Sequence, residues 1–320
     1  SIIKLMVHLA RVAKMRVAVV GCCHGELDLM YERVLDMMRT KNCKVDLLLV
    51  AGDFQAIRND SDLRSMSVPE KYQRYGDFID YYNGKKRAPI LTVFIGGNHE
   101  SSSYLRELHY GGWVCPNIYY LGSSGVVNFS GLRIAGISGI FSKHNFDRGY
   151  FESLPLDEKS KKSIYNYRSF DVWKLKQYEG KVDIFLSHDW PADIWGERKE
   201  ELLKMKPFLR NEIDRGEFGS PPLAELLHSL SPKKWVSAHM HCKFSVKTAN
   251  TEFLALDKCV KGRNFIEILS FKDFDEPNRL FYDSEWISIL RRTQSIMSTR
   301  REISTDFRFE DNIQDIDIVD

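Results

Sequence analysis

The sequence predicts an α/β protein: an αββα sandwich of two mixed β-sheets flanked by helices, with a long inserted loop and a small C-terminal appendage. Three observations lead there. Apolar runs at residues 16–20, 46–50 and 90–95 alternate with helical periodicity, which implies parallel strands joined by right-handed crossovers. From residue 117 onward the apolar runs shorten and are separated by Gly and Ser, the style of antiparallel hairpins. A chain that opens in βαβ units and closes in hairpins suits two sheets packed face to face with helices outside. Short polar clusters also follow the apolar runs directly, at the carboxyl ends of strands, where an open α/β sheet places its ligands.

After the first strand, Leu27, Met30, Val34, Leu35 and Met38 recur at i, i+3, i+4 spacing and predict an amphipathic helix over 27–41, leading back to a strand at 45–50. A further helix is expected between Pro69 and Tyr82, with Pro in its first turn, before the strand that ends at Gly96-Gly97. Residues 117–121, 125–129 and 132–137 read as antiparallel strands, the last two joined by a turn at Asn128-Phe129-Ser130-Gly131. Apolar runs at 183–186 and 234–236 each precede a histidine cluster, and runs at 243–248, 252–256 and 265–269 repeat the antiparallel style. Between 138 and 170 periodicity fails, and aromatic residues interleave with basic ones. A stretch that long is functional or disordered, and its aromatics argue against disorder. Residues 1–14, apolar and basic without an acid, are expected to be an upstream extension, so the main domain runs over 15–270. Residues 271–320 are expected to form a small helical appendage and an acidic tail, because charge density rises there and sheet patterning stops.

Composition narrows the class. A chain of 320 residues with 43% hydrophobic content and 10 prolines can bury a real core. A formal charge of +2 gives no argument for nucleic acid by itself, although residues 159–162, 174–181, 198–206 and 291–301 are locally basic. The cysteines Cys22, Cys23, Cys43, Cys115, Cys242 and Cys259 lack framework spacing, and a reducing compartment fits them best. No uninterrupted apolar stretch approaches the ~20 residues that span a bilayer, so no membrane partner is expected.

The clusters at 21–25, 52–53, 97–100, 187–189 and 238–241 carry the residue types of a two-metal phosphoesterase. Two divalent ions about 3.5–4 Å apart clamp a phosphate, acidify a shared water and stabilise the attacking and leaving oxygens. Such a site needs a bridging carboxylate and neutral nitrogen or oxygen ligands. Asp53, at the tip of a hydrophobic strand behind the permissive Gly52, is the natural bridge, with a helix N-cap as its ordinary alternative. His239 and His241 are one residue apart, so on an extended segment both point the same way and each could serve one ion.

The order Gly-x-x-His-Gly, Gly-Asp, Gly-Asn-His-Glu, Ser-His and x-His-x-His resembles the calcineurin-like metallophosphoesterase superfamily. The stretches at 52–60, 94–101, 110–114, 117–122, 185–191, 237–244 and 253–259 resemble, more narrowly, the RNA lariat debranching enzymes, and the likeness covers roughly residues 15–292. It implies that Cys22, His24, Asp53 and His241 hold one ion, and that Asp53, Asn98, His188 and His239 hold the other. The wider superfamily has aspartate at the position of Cys22, whereas the debranching enzymes resemble this chain in having cysteine. A thiolate is soft and monodentate and favours Zn(II) or Fe(II) over Mg(II), so the implied cofactors are two divalent ions, Fe(II), Zn(II) or Mn(II). Cys23, the next residue on the turn, should point away. The superfamily pattern puts His99 near the leaving oxygen as general acid. Glu100 is expected to cap or orient, and Asp189 to fix a ligand histidine's tautomer.

The resemblance implies hydrolysis of the 2′,5′-phosphodiester at the branch point of excised intron lariats by a metal-bound hydroxide, which linearises introns for turnover. It implies branched RNA and spliceosome-associated or intron-turnover proteins as partners, and the nucleus, with shuttling to the cytoplasm, as the place. Residues 138–168 match the position of that family's lariat recognition loop. A splayed branch is gripped by aromatic stacking and cationic phosphate contacts. Phe141, Lys143, His144, Phe146, Arg148, Tyr150 and Phe151 fit that need, as does Lys258 in the trailing Leu256-Asp257-Lys258-Cys259 cluster. For any single aromatic there, packing within the loop is the ordinary role. A metal-dependent nucleotide phosphodiesterase or phosphatase is the alternative. Protein phosphatases of the superfamily carry Gly-Asp-x-Val-Asp-Arg-Gly, whereas Asp53 is followed here by Phe54-Gln55-Ala56-Ile57-Arg58, which weighs against a protein substrate. A silent RNA-binding scaffold would require a lost ligand, and the set is complete with cysteine at 22.

Overall fold

Side-chain alternation in the buried strands decides the layering. The computed structural model describes residues 14–272, 278–303 and 308–309; the expectations for residues 1–13 and for the acidic tail at 310–320 lie outside the described residues. The strands of the first half are β1 (Lys14–Val20), β2 (Leu47–Val50), β3 (Thr92–Phe94), β4 (Gly112–Cys115), β5 (Ile118–Tyr120), β6 (Ser124–Phe129) and β7 (Leu132–Ile137). Those of the second half are β8 (Ile184–Ser187), β9 (Lys234–Ser237), β10 (Phe244–Lys247), β11 (Glu252–Ala255), β12 (Ile266–Lys272) and β13 (Leu280–Tyr282). One sheet has the order β12-β1-β2-β3-β5-β4 and the other β10-β11-β9-β8-β7-β6-β13. Val17 and Val19 of β1, with Leu47 and Leu49 of β2, point between the sheets and meet Ile134, Ile184, Leu186 and Val236 from the other side. Ala18 and Val20, with Leu48 and Val50, point outward onto α1 (Leu27–Thr40), where Leu27, Met30 and Val34 cover them. On the far side, Phe185, Trp235 and Phe253 pack under Val172 and Leu175 of α6 (Ser169–Lys176) and under Leu223 and Leu226 of α9 (Pro221–Leu230). Residues alternate between faces along each strand, so each sheet buries both faces and the expected αββα sandwich results.

The helices in order are α1, α2 (Asp60–Arg64), α3 (Phe78–Tyr82), α4 (Ser102–Glu107), α5 (Glu158–Lys161), α6 (Ser169–Lys176), α7 (Lys199–Met205), α8 (Arg210–Asp214), α9 (Pro221–Leu230) and α10 (Ser284–Thr293). No described helix is long and apolar enough to cross a membrane.

Several expectations are corrected. The helix between Pro69 and Tyr82 is broken into a 3-10 turn at Glu70–Tyr72 and α3. The break falls where Gly76 lies against Gly25: a Cβ on Gly76 would be 2.7 Å from the Gly25 Cα, and Asp77 N donates to Gly25 O at 2.8 Å. Strand β5 runs parallel to β3, not antiparallel, because the unforeseen β4 turns into it through Asn117 at φ 66°. Strand β11 is parallel to β9, and β12 crosses to the first sheet to pair antiparallel with β1. Lys14 already belongs to β1. Beyond residue 278 sheet structure resumes, since β13 pairs with β6 before α10 begins. Within the 138–168 stretch, α5 and a bridge between Ile140 and Asn166 give the loop an ordered base.

Trp235 fixes the ends of the strands that carry the histidines. Its ring stacks on Phe185 with centroids 4.1 Å apart, and its indole N–H donates to Ser187 Oγ at 2.8 Å, one residue before His188. Trp235→Ala should cost about 3–5 kcal/mol, the range for removing a buried large aromatic. Trp235→Phe keeps the stack but leaves buried hydroxyls short of a donor and should cost about 1–3 kcal/mol. Urea titration of both variants checks the order; an undiminished stability in Trp235→Phe would mean the indole N–H does nothing.

Candidate metal centre

Each group of the site leaves the carboxyl end of a parallel strand. Cys22 and His24 follow β1, Asp53 follows β2, Asn98 follows β3, His188 follows β8, and His239 and His241 follow β9. The chain then turns sharply, and four of these residues take left-handed backbones: His24 at φ 52°, Asp53 at 49°, His239 at 60° and His241 at 48°. Such conformations are costly for residues with a Cβ and concentrate at functional sites. Gly97 makes room for Asp53, because a Cβ there would lie 2.6 Å from Asp53 N and 2.8 Å from His188 Cε1. His239 and His241 are therefore not on an extended segment, as their spacing suggested. A left-handed turn at each sends the two rings to different neighbours.

The donors gather in two groups around one carboxylate. Cys22, His24, Asp53 and His241 each offer a donor atom within 4.8 Å of the others. His24 Nε2 lies 3.7 Å from Asp53 Oδ2 and 3.2 Å from His241 Nε2. On the other side, His188 Nε2 is 3.4 Å from Asp53 Oδ1, and the His188 and His239 rings are 5.0 Å apart. His188 Nδ1 faces the Ala51 carbonyl at 2.8 Å and donates to it, so in the neutral ring Nε2 carries the lone pair; burial works to lower the pKa of the ring, but the buried Asp53 carboxylate beside it raises it. His188 Nε2, Asp53 Oδ2 and Asn98 Oδ1 are all buried without a hydrogen-bond partner. Buried acceptors without donors are costly unless a cation lies beside them. The residues present thus fit divalent ions.

The electrostatics agree. Burial would raise the Asp53 carboxyl, but His188, His24 and His99 around it hold it well below the usual carboxylate range. Burial and the neighbouring His188 push His239 down to about 4, and burial with His24 and Lys258 does the same to His241. Neutral imidazole is the form that binds metal. Burial, and then Asp53, push the Cys22 thiol well up, so a thiolate there requires a cation beside it.

Other expected residues fall as follows. His99 donates its backbone N–H to Asp53 Oδ1 at 2.8 Å and presents Nδ1 without a partner, as a group beside the donors. Glu100 orients, accepting from the backbone N–H groups of Phe54 (2.7 Å), Gln55 (2.8 Å) and Gly97 (3.0 Å). Asp189 holds no histidine. It accepts from Phe141 N at 3.1 Å and Trp190 N at 2.9 Å, tying the 138–168 loop to the strand end that bears His188. Cys23 points away into the packing between the first sheet and α1. Lys258 is close enough for its charge to depress both His24 and His241. In the loop, Lys143 and His144 are exposed, while Phe141, Phe146, Arg148 and Phe151 are half-buried. Tyr150 is 6% exposed, with its ring against His109, so it offers no free face for stacking.

Sequence reasoning missed Gln55 and Tyr165. The buried Gln55 amide lies 3.4 Å from His24 Nδ1, and Tyr165 hydrogen-bonds Ser67 within electrostatic reach of Asp53. Gln55 stands beside Asp53 but has no metal-ligand chemistry of its own to mark it.

Comparison with known proteins bears on this geometry. The calcineurin-like phosphoesterase family matches residues 15–243, and the lariat debranching enzyme C-terminal domain matches residues 248–315. The chain is 51% identical over 297 residues to a lariat debranching enzyme of Homo sapiens, covering 89% of this chain and 55% of that protein. It is 46% identical over 295 residues to a lariat debranching enzyme of Arabidopsis thaliana, covering 90% of this chain and 70% of that protein. The chain thus spans little more than half the length of the vertebrate relative. A solved chain of 14% identity superposes with a TM-score of 0.50 over 85% of this chain, which supports the fold alone.

Asp53→Ala should lower divalent-ion affinity by at least ~10²-fold, beyond the ~10–100-fold typical of losing a ligand's hydrogen-bond partner. Gln55→Ala should fall in that lesser range, and His99→Ala should leave affinity unchanged. Calorimetric titration of the apo proteins with Mn(II) and Zn(II) measures all three; metal loss in His99→Ala would move His99 among the ligands.

Proposed function

We propose, since this chain belongs to the calcineurin-like phosphoesterase family and within it to the lariat debranching enzymes, that it hydrolyses the 2′,5′-phosphodiester bond at the branch point of excised intron RNA lariats. The observation that carries this reading is the attachment of the aromatic and basic loop to the donor cluster itself, through Asp189 beside His188. A metal centre walled by such a loop suits a splayed single-stranded branch better than a small phosphate ester.

Two divalent ions, Fe(II), Zn(II) or Mn(II), are the cofactors in this reading. Cys22, His24, Asp53 and His241 would hold one, and Asp53, Asn98, His188 and His239 would hold the other. When bound, such ions neutralise the phosphate, acidify a water and stabilise charge on the attacking and leaving oxygens. The chain supplies geometry and a proton. Asp53 spans both donor groups and fixes their separation, and Glu100 holds the Asp53 and Gly97 turns together through three backbone N–H groups. The water releases a proton to solvent and its oxygen adds to phosphorus as the P–O2′ bond breaks, while His99 gives its imidazole proton to the departing O2′ and regains one from solvent. The products are a 2′-hydroxyl on the branch nucleotide and a 5′-phosphate on the released strand. Lys143, His144, Phe141, Phe146, Arg148, Phe151 and Lys258 surround the branch. Intron-turnover or spliceosome-associated proteins would deliver the substrate, in the nucleus with shuttling to the cytoplasm.

Incubation of the chain with a branched 2′,5′ RNA and a linear 3′,5′ control, across a metal series, tests the proposal; equal cleavage of both would favour a general nucleotide phosphodiesterase. His99→Ala should lower kcat by the ~10²–10⁴ of a lost general acid. Cys22→Asp should shift the activity ranking toward Mn(II), since carboxylate oxygen suits a harder ion than thiolate does. An unchanged Mn/Zn/Fe ranking would mean that Cys22 does not bind the metal.

A further inference from the structure

The back of the 138–168 loop is held by a segment far away in sequence. Gly149 N donates to Arg300 O at 3.0 Å and Tyr150 N to Ser298 O at 2.8 Å. Gly149 has no room for a side chain, because a Cβ there would sit 2.5 Å from both of those carbonyl oxygens. Ile296, Met297 and Phe309 pack on the buried Tyr150, Phe170 and Trp173, and the Phe309 ring stacks on Trp173 at 4.9 Å. Arg301 lies over the Phe151 ring at 5.2 Å. The contacts reach the loop at 149–151, in the same loop whose Phe141 N–H is held by Asp189 beside His188, and none of them touches a metal donor.

We propose that residues 296–301, with Phe309, form a specificity brace: they set the conformation of the loop and thereby the preference for branched RNA over small phosphodiesters. The choice of substrate rests on the lariat reading, while the bracing itself does not. The loop's other supports are internal or come from the domain. Buried Arg168 pairs with Glu152 at 2.6 Å, and Arg106 of α4 donates to Tyr150 O at 2.8 Å. These fix the base of the loop, whereas among the described residues the brace alone bonds the backbone N–H groups of Gly149 and Tyr150. Its hydrogen bonds and ring contacts are positional and contribute nothing to the chemistry, so a brace variant should separate recognition from turnover.

The test uses the full chain, loaded with metal, in three forms: wild type, Gly149→Val and the milder Phe309→Ala. Hydrogen exchange should speed up by about 10-fold or more at the Gly149 and Tyr150 amides in both variants, since local opening sets the rate at such sites. KM for a branched RNA should rise by about 10-fold or more, the scale of one lost stacking platform, with kcat little changed. Turnover of bis(p-nitrophenyl) phosphate should stay at the wild-type level. Unchanged amide exchange in both variants, or faster exchange with an unchanged KM, overturns the proposal, as does an equal loss on both substrates. If Gly149→Val does not fold, Phe309→Ala decides the matter by the same readings. If wild type itself fails to prefer branched RNA, the lariat reading falls, and the exchange data still decide whether the brace holds the loop.

Discussion

Everything at the site depends on one buried carboxylate that must face cations. Asp53 is 1% exposed, stays ionised among imidazoles, and has an oxygen with no donor to satisfy it. Around it stand His188, which is turned lone-pair-inward by the Ala51 carbonyl, and Asn98, whose oxygen is likewise unpaired. Such an arrangement repels itself and holds together only when the scaffold is rigid and positive charge is supplied. The scaffold is rigid because the donors leave the ends of parallel strands buried on both faces. Strain of about 1–3 kcal/mol at each left-handed turn is then borne by the whole sandwich rather than by the loops.

The same constraint explains the glycines and the placement of the loop. Gly52 and Gly97 are sites where a side chain would strike His188 or Asp53, so the donors can converge only with hydrogen there. Asp189, freed from any histidine, instead ties Phe141 to the strand end that delivers His188. The donor cluster and the 138–168 loop therefore share an anchor. Charge around the loop is handled separately: Arg168 and Lys174, both almost fully buried, are paired with Glu152 and Asp171, leaving Lys143 and His144 free at the surface.

Much of this was legible in the sequence, for a physical reason. Strands buried on both faces read as continuous apolar runs, and ligands at their ends read as abrupt polar clusters, so β1, β2, β3, β8 and β9 and the residues after them announce themselves. Short, half-exposed runs carry no such signal. β4 has Trp113 53% exposed, and nothing in 118–120 says which neighbour it will join or in which direction. The helix expected up to Tyr82 failed because its interruption is a tertiary event, the approach of Gly25 to Gly76. Aromatic content marked Tyr150 as a stacking residue, but its burial is set by His109, Phe170 and Met297, all distant in sequence. The bracing segment was invisible for the same reason: residues 296–301 have no periodicity, and their partners lie across the fold.

The most direct measurement of the central claim is anomalous diffraction from crystals grown with Mn(II) or Zn(II), collected at the metal edge. The account predicts two peaks about 3.5–4 Å apart, the spacing of two-metal sites, with Asp53 between them, Cys22 on one side and Asn98 on the other. A single peak, or a pair that leaves Asp53 bound to only one ion, would contradict it.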